Sequence, residues 1–348
     1  MIAPGDESFA VSARLRLRFV DYRIDVETNS LRLAAKLQTY FKDSLAESGA
    51  TPPDRRLRAV VGAAEFDASR LSVWSRASSP NRTPKESYYD DGGARYILKN
   101  RTGVLITLAE HEATIAGPLE ENTNQVVNLI GTMFGLSLLA RGYVMVHASA
   151  VKSAGSDDAL IFLGNSGSGK SSLALQMIER GGYDYVSNDR VLMREEGGTV
   201  HIVGLPKKPR VNPGTLLASR SLSQLVSRPR RRAYEQLAPE ELWKLEEKTD
   251  IDVESTLGAR TRLGATLAHA YSLEWRPGGE GLTRRLLSDA DAIAAMQTTA
   301  KDFGPYDLGA GRDMTPGFAR VAACVPFTGV GGKADPKGFA KLLAAERA

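Results

Sequence analysis

The sequence predicts an α/β protein in two parts, an N-terminal α+β domain over residues 1–118 and a larger α/β core over 119–348. Three observations carry that reading. A glycine-rich run, Gly164–Ser171, stands between a short apolar strand and an amphipathic helix. Beyond residue 122, short apolar runs alternate with segments of helical period, the pattern of an α/β fold. Before residue 118, strand-like alternation dominates and a single helix interrupts it.

Taken in order, residues 9–26 alternate apolar and polar side chains and predict one or two strands. Asn29-Ser30 then caps a helix whose apolar side holds Leu31, Leu33, Leu37 and Phe41. The chain is mixed from about Glu47 to Gly93, with a polar loop expected at Ser78–Lys85. Strands follow near Arg95–Leu98 and Val104–Ala109. A long helix is expected over Asn122–Arg141, with Val126, Leu129, Ile130, Met133, Phe134 and Leu138 inward. Short strands come next at Val144–Val151, Leu160–Leu163, Tyr185–Ser187, Val191–Met193 and Val200–Val203, then a Pro- and Gly-containing loop at Lys207–Gly214. Residues 219–262 read as a charged, mostly helical insertion. Strands at Ala268–Trp275 and Leu282–Leu287 flank a turn at Pro277–Gly279, and Ser288 opens a helix through Met296.

Composition narrows the function classes. The 348 residues are 42% hydrophobic and 25% charged, as in ordinary globular proteins, and the net charge is +4. Spread over this length, +4 gives no case for a nucleic-acid partner. Cys324 is the only cysteine and the four histidines (111, 147, 201 and 269) are scattered, which excludes an internal disulfide and argues against a Cys- or His-based metal cage. The most apolar run, about Val126–Ala140, contains Asn128, Thr132 and Ser137 and is too short and polar to span a bilayer. The N-terminal residues show no secretory signal, so a cytoplasmic protein without membrane contact is expected.

The glycine-rich run matches G-x-x-x-x-G-K-[ST] at every fixed position: Gly164, Asn165, Ser166, Gly167, Ser168, Gly169, Lys170 and Ser171, followed by Ser172. A strand before it and a helix after it are the context that makes this motif a phosphate-binding loop. Glycines let backbone N–H groups converge on phosphate without Cβ clashes, and the helix N-terminus adds positive potential. Lys170, expected to be open to ligand, would reach the β- and γ-phosphates of ATP or a close relative, and Ser171 Oγ would ligate Mg2+. Asp189 follows Lys170 by only nineteen residues, just past the strand ending at Ser187. At the carboxyl end of a neighbouring strand it would hold magnesium or accept a proton from an incoming hydroxyl.

Around these residues the chain resembles the HPr kinase/phosphorylase family. The resemblance is carried by Met145-Val-His147-Ala-Ser-Ala, the P-loop, and Ile178-Glu-Arg180-Gly181-Gly182 leading to Ser187-Asn188-Asp189-Arg190-Val191. It covers about 143–217 well and extends more loosely to about 297. Gly204-Leu-Pro-Lys207-Lys208-Pro-Arg210-Val-Asn212-Pro213-Gly214 and Glu240–Lys248 make it most similar to the HPr kinase-related "kinase B" group. The resemblance implies an HPr kinase/PEP carboxykinase-like core, His147 beside the acidic residue, and a homo-oligomer. Two departures stand out. The family's acidic pair is Asp-Asp, whereas here it is Asn188-Asp189, and the stretch matching the family's Glu-Ile-Arg-Gly is His201-Ile-Val203-Gly204. An amide is no general base, so that role falls to Asp189.

Lys207, Lys208 and Arg210 sit in a proline-stiffened loop as candidates to touch phosphate or acceptor. Arg228–Arg232 reads as a solvated basic face, and Arg260 and Arg262 as secondary candidates for nucleotide or subunit contact. The expected activity is γ-phosphoryl transfer from Mg·ATP to a hydroxyl of a protein serine or a small alcohol. The rival is a nucleotide-binding switch without transfer, favoured by Asn188 and Val203.

Overall fold

The computed structural model describes residues 10–47, 49, 51–74, 84–110, 112–245, 247–275, 279–309 and 311–346. His111, most of the expected 78–85 loop and part of the 277–279 turn therefore lie outside the described residues. The chain divides into two compact units: Met1–Ser137 with Asp302–Gly311, and Leu138–Lys301 with Arg312–Ala348.

The first unit is built on strands β1 (Ala13–Phe19), β2 (Tyr22–Thr28), β3 (Leu45–Ala46), β4 (Arg55–Val61), β5 (Ser72–Trp74), β6 (Glu86–Asp91), β7 (Ala94–Lys99), β8 (Val104–Leu108) and β9 (Glu112–Gly117). They form one sheet in the order β3-β1-β2-β4-β9-β8-β7-β6-β5. The central strands β2, β4 and β9 are parallel and the remaining neighbours antiparallel. Helix α1 (Leu31–Tyr40) starts where Ser30 Oγ accepts from Leu33 N at 3.0 Å, a standard N-cap. Helix α2 (Thr123–Ala140) packs here too, with Phe134 against Phe19 at 5.5 Å and Tyr22 at 5.9 Å between ring centroids. The compact division thus falls one helix later than residue 118. The mixed stretch 47–93 holds the central strand β4, whose arginines at 55, 56 and 58 obscure the buried Leu57, Ala59 and Val60.

The second unit begins with β10 (Val144–Val146) and β11 (Ala148–Ser153), followed by β12 (Asp158–Leu163), α3 (Lys170–Glu179), β13 (Tyr183–Ser187), β14 (Val191–Glu196) and β15 (Thr199–Gly204). Then come β16 (Arg210–Val211), α4 (Pro213–Ala218), α5 (Arg228–Glu235), α6 (Pro239–Lys244), β17 (Thr249–Asp250), α7 (Val253–Leu257) and β18 (Gly264–Leu273). The chain closes with β19 (Leu282–Leu286), α8 (Asp289–Thr299), α9 (Thr315–Cys324), β20 (Phe327–Gly332) and α10 (Pro336–Ala345).

The sheet runs β10-β14-β15-β18-β12-β11-β13, with β20 beside β18 and β19 beside β20. Strand β18 is long enough to pair β15 through Gly264–Thr266 and β20 through Ala270–Leu273, and it runs parallel to β12. The P-loop strand β12 is interior, between β11 and β18. Two expectations change. The run 144–151 is two strands, because the chain leaves β14 and joins β12 at His147. Residues 219–262 hold short helices and the two-residue strand β17, since Pro229 and Pro239 restart the chain and Gly258, at φ +67°, ends α7. One apolar core joins α3, α10 and α4, with Leu173, Met177, Phe339, Leu343 and Leu216 buried. Among the described residues, no helix is long and apolar enough to cross a membrane.

Candidate active site

The loop 164–169 leaves the end of β12 and delivers the chain into α3. Its path depends on glycine. Gly164 has φ +145°, and a Cβ there would lie 2.7 Å from Ser168 Oγ and 3.0 Å from Leu273 O. Gly169, at φ +81°, would bring a Cβ to 2.9 Å from the Pro336 ring. The loop is anchored from outside by Trp275, whose Nε1 donates to Ser168 O at 2.7 Å. Asn165, Ser166 and Gly167 remain exposed at its tip. Helix α3 begins without a side-chain cap, so its first N–H groups are donors of positive partial charge that an anion seated in the loop would satisfy.

Lys170 departs from expectation. It is 5% exposed and folded back on the loop, donating to Gly164 O at 2.7 Å and Asn165 O at 2.8 Å. Burial lowers its pKa to about 8, with Asp189 opposing the shift and Lys301 adding to it. Ser171 Oγ donates to the carbonyl of Asn188 at 3.2 Å, which joins the P-loop to the end of β13. Ser172 Oγ lies 2.9 Å from Thr215 Oγ1 and ties α3 to α4.

Just past β13, Asn188 is held by its own side chain: Oδ1 accepts from Tyr185 OH and Nδ2 donates to Arg210 O, both at 3.2 Å. Asp189 Oδ1 is 3.6 Å from His147 Nε2, and Oδ2 is 3.9 Å from Arg190 Nε. Its side chain is 59% accessible. Desolvation raises its pKa, but Arg190, Lys207, His147 and Lys248 together outweigh that and hold the carboxyl below its ordinary value. His147 sits at the break between β10 and β11, its N–H donating to Thr299 O at 2.7 Å. Burial first, then Lys170, drives its pKa down to about 4 against the pull of Asp189. Near neutral pH the pair is therefore a neutral imidazole beside a carboxylate, not an ion pair.

The basic loop divides. Gly204 lets β15 cross β13 closely, since a Cβ there would stand 2.2 Å from Val186 O. Beyond it, Lys208 Nζ pairs with Asp252 at 2.7 Å and Arg210 Nε with Asp250 at 2.6 Å, across the β16–β17 ribbon. Lys207 faces the site instead: burial lowers its pKa and Asp189 is the strongest charge opposing that. Arg262 pairs with the buried Asp184 at 3.1 Å, and Arg260 N donates to the same carboxylate, so both brace β13. Within 228–232, Arg230 pairs with Glu247 at 2.6 Å and Arg231 donates to Ser223 O.

The residues fit a magnesium-bound triphosphate. Among the described residues, no cluster of three His, Cys, Asp or Glu side chains forms a metal cage. Ser171 and Asp189 are hard oxygen donors beside a phosphate-binding loop, a donor set suited to an ion that keeps waters and phosphate oxygens as its other ligands. Trp275 and Lys301 were missed in the sequence. Trp275 stands just past β18, next to the P-loop strand, and a Trp at a strand end beside a P-loop was the available signal; Lys301 had none.

No family model matches the chain, and no curated protein matches it. Among solved structures it is similar to the HPr(Ser) kinase/phosphatase from Coxiella burnetii, at 11% identity and a TM-score of 0.31 over 58% of this chain and 95% of that one. A likeness at that level says nothing of substrate or activity.

Proposed function

We propose that the second unit is an ATP-dependent phosphotransferase that moves the γ-phosphoryl group to a hydroxyl acceptor. The observation that carries this is the hydrogen bond from Ser171 Oγ to Asn188 O, which joins the P-loop to the turn bearing Asp189. Phosphoryl transfer asks little covalent chemistry of a protein; positioning and charge stabilisation do most of the work. The loop N–H groups and Lys170 would hold the phosphates. Ser171 and Asp189 would hold magnesium, which neutralises the charge on the β- and γ-oxygens when bound. Lys207 and Arg190, both close enough to influence Asp189, would face the charge that spreads over the transferring group.

Asp189 is ionised at neutral pH and so able to accept a hydrogen bond from the attacking hydroxyl. Neutral His147 would orient the carboxylate. Homology to the "kinase B" group, a cytoplasmic location and self-association are parts of the same proposal.

The test is thermal unfolding with and without Mg·ATP. Wild type should gain stability by mass action and Lys170→Ala should not. An equal gain in both proteins contradicts the site. The switch reading draws on Asn188, whose amide is consumed in holding Tyr185 and Arg210; it predicts the same nucleotide shift with no ADP release.

A further inference from the structure

We infer that Trp275 is a positioning residue of the phosphate-binding loop: its indole holds the Ser168 carbonyl outward and so aims the Gly169 N–H at a phosphate. This rests on the phosphotransferase reading. Past Leu273 the pairing of β18 with β20 continues for one more residue, since Glu274 N donates to Val330 O at 2.8 Å, and that register delivers the next residue to the loop. Trp275 is 7% exposed. Its ring meets Phe339 of α10 edge to face, at 6.1 Å and 86°, and Phe339 stands in the same relation to Tyr271 at 5.4 Å and 84°. An indole buried among rings needs an acceptor for its N–H. The one it takes is Ser168 O, at 2.7 Å.

That carbonyl matters because of the glycines on either side of it. Gly167 and Gly169, at φ +82° and +81°, carry no side chain to bar rotation of the peptides around Ser168. Such a loop can present either edge of the Ser168–Gly169 peptide to its interior. In a planar trans peptide the carbonyl and the next N–H point opposite ways. With Ser168 O committed to the indole, the Gly169 N–H is turned away from it, at the residue that opens α3, where an anion is favoured. The reverse orientation would set a carbonyl oxygen against a phosphate and repel it. Helix α10 closes the same side, because a Cβ on Gly169 would lie 2.9 Å from the Pro336 ring and 3.9 Å from Trp275 Cζ2. Apolar packing on Phe339 asks only for a ring; the N–H serves the loop.

Calorimetric titration of Mg·AMP-PNP into the full chain tests this with a pair of replacements. Trp275→Phe keeps an aromatic ring and removes the donor. Incorporating 3-benzothienylalanine in place of Trp275 keeps the bicyclic shape and puts sulfur where the N–H was. Both should bind nucleotide roughly tenfold more weakly, the scale of one hydrogen bond. The isostere should nevertheless unfold in urea at the wild-type midpoint. In steady-state ADP release the loss should fall on KM, with kcat within about twofold, because gripping a bound phosphate is ground-state binding. Wild type that does not bind Mg·AMP-PNP overturns the phosphotransferase reading and the inference with it. An isostere that binds as wild type does shows that ring packing is enough and overturns the inference alone. So does an isostere whose weaker binding comes with a lower midpoint of the nucleotide-free protein, since the loss is then one of folding.

Discussion

The two units hold large sheets and both close charged pairs tightly, but the second also gathers cations around Asp189 without closing on it. In the first, arginines close on carboxylates across strands: Arg16 on Asp25 at 2.6 and 2.7 Å, Arg95 on Asp90 at 2.7 and 2.9 Å, and Arg58 on Glu112 at 2.8 Å. In the second, Asp189 has a neutral His147 at 3.6 Å and the Arg190 guanidinium at 3.9 Å, and Lys170 and Lys207 are buried enough to lose basicity. Tight pairs at a surface do little beyond fixing register. Cations gathered around a carboxylate without closing on it give that place a potential that favours a ligand of opposite charge. That contrast identifies the site more sharply than any single residue.

The contrast can be broken at several points. The largest effect should come from Lys207→Ala, which removes a cation from beside the transferring group; turnover should fall roughly a hundredfold in steady-state ADP release, the scale of one transition-state donor. A fall under threefold would make Lys207 a solvated loop residue. Gly204→Ala should cost about 2–3 kcal/mol in chemical denaturation, because its Cβ would overlap Val186 O at 2.2 Å in a close strand crossing. An unchanged midpoint would show that β15 is free to move off β13.

Lys170 sharpens the comparison through pH. Its folded pKa of about 8 lies below the unfolded 10.5, so between those values the unfolded chain binds more protons. The stability of the free protein should rise with pH across that window as the buried charge is lost. Phosphate binding favours the protonated form, so nucleotide affinity should fall over the same range. Both trends running the same way would contradict the buried-cation picture. The smallest effect belongs to the first unit: Arg58→Met should cost under about 1 kcal/mol and leave turnover unchanged.

The P-loop and its flanking strand and helix were legible in the sequence because their chemistry is local: fixed glycines, a Lys-Ser pair and a helical period within twenty residues. The place of Asp189 just past β13 was legible for the same reason, one helix and one strand downstream. The central strands β4 and β9 were not, since arginines and small residues blur their alternation. Nor were β20 and α10, whose burial against β18 and α3 depends on partners far away in the chain. The inward fold of Lys170 and the division of the basic loop into paired and site-facing cations are likewise tertiary facts. Asp252 and Asp250 claim Lys208 and Arg210 from forty residues away, and no spacing rule announces that.

A phosphotransferase of this kind requires Asp189 and the P-loop to act together on ATP. Basal hydrolysis of Mg·ATP, with no acceptor added, tests it in wild type, Asp189→Asn and Asn188→Asp side by side. Water stands in for the acceptor, so wild type should hydrolyse slowly, and Asp189→Asn should lose that activity by roughly a hundredfold while still binding nucleotide. Hydrolysis that appears only in Asn188→Asp would contradict the account and leave the chain a nucleotide-binding switch.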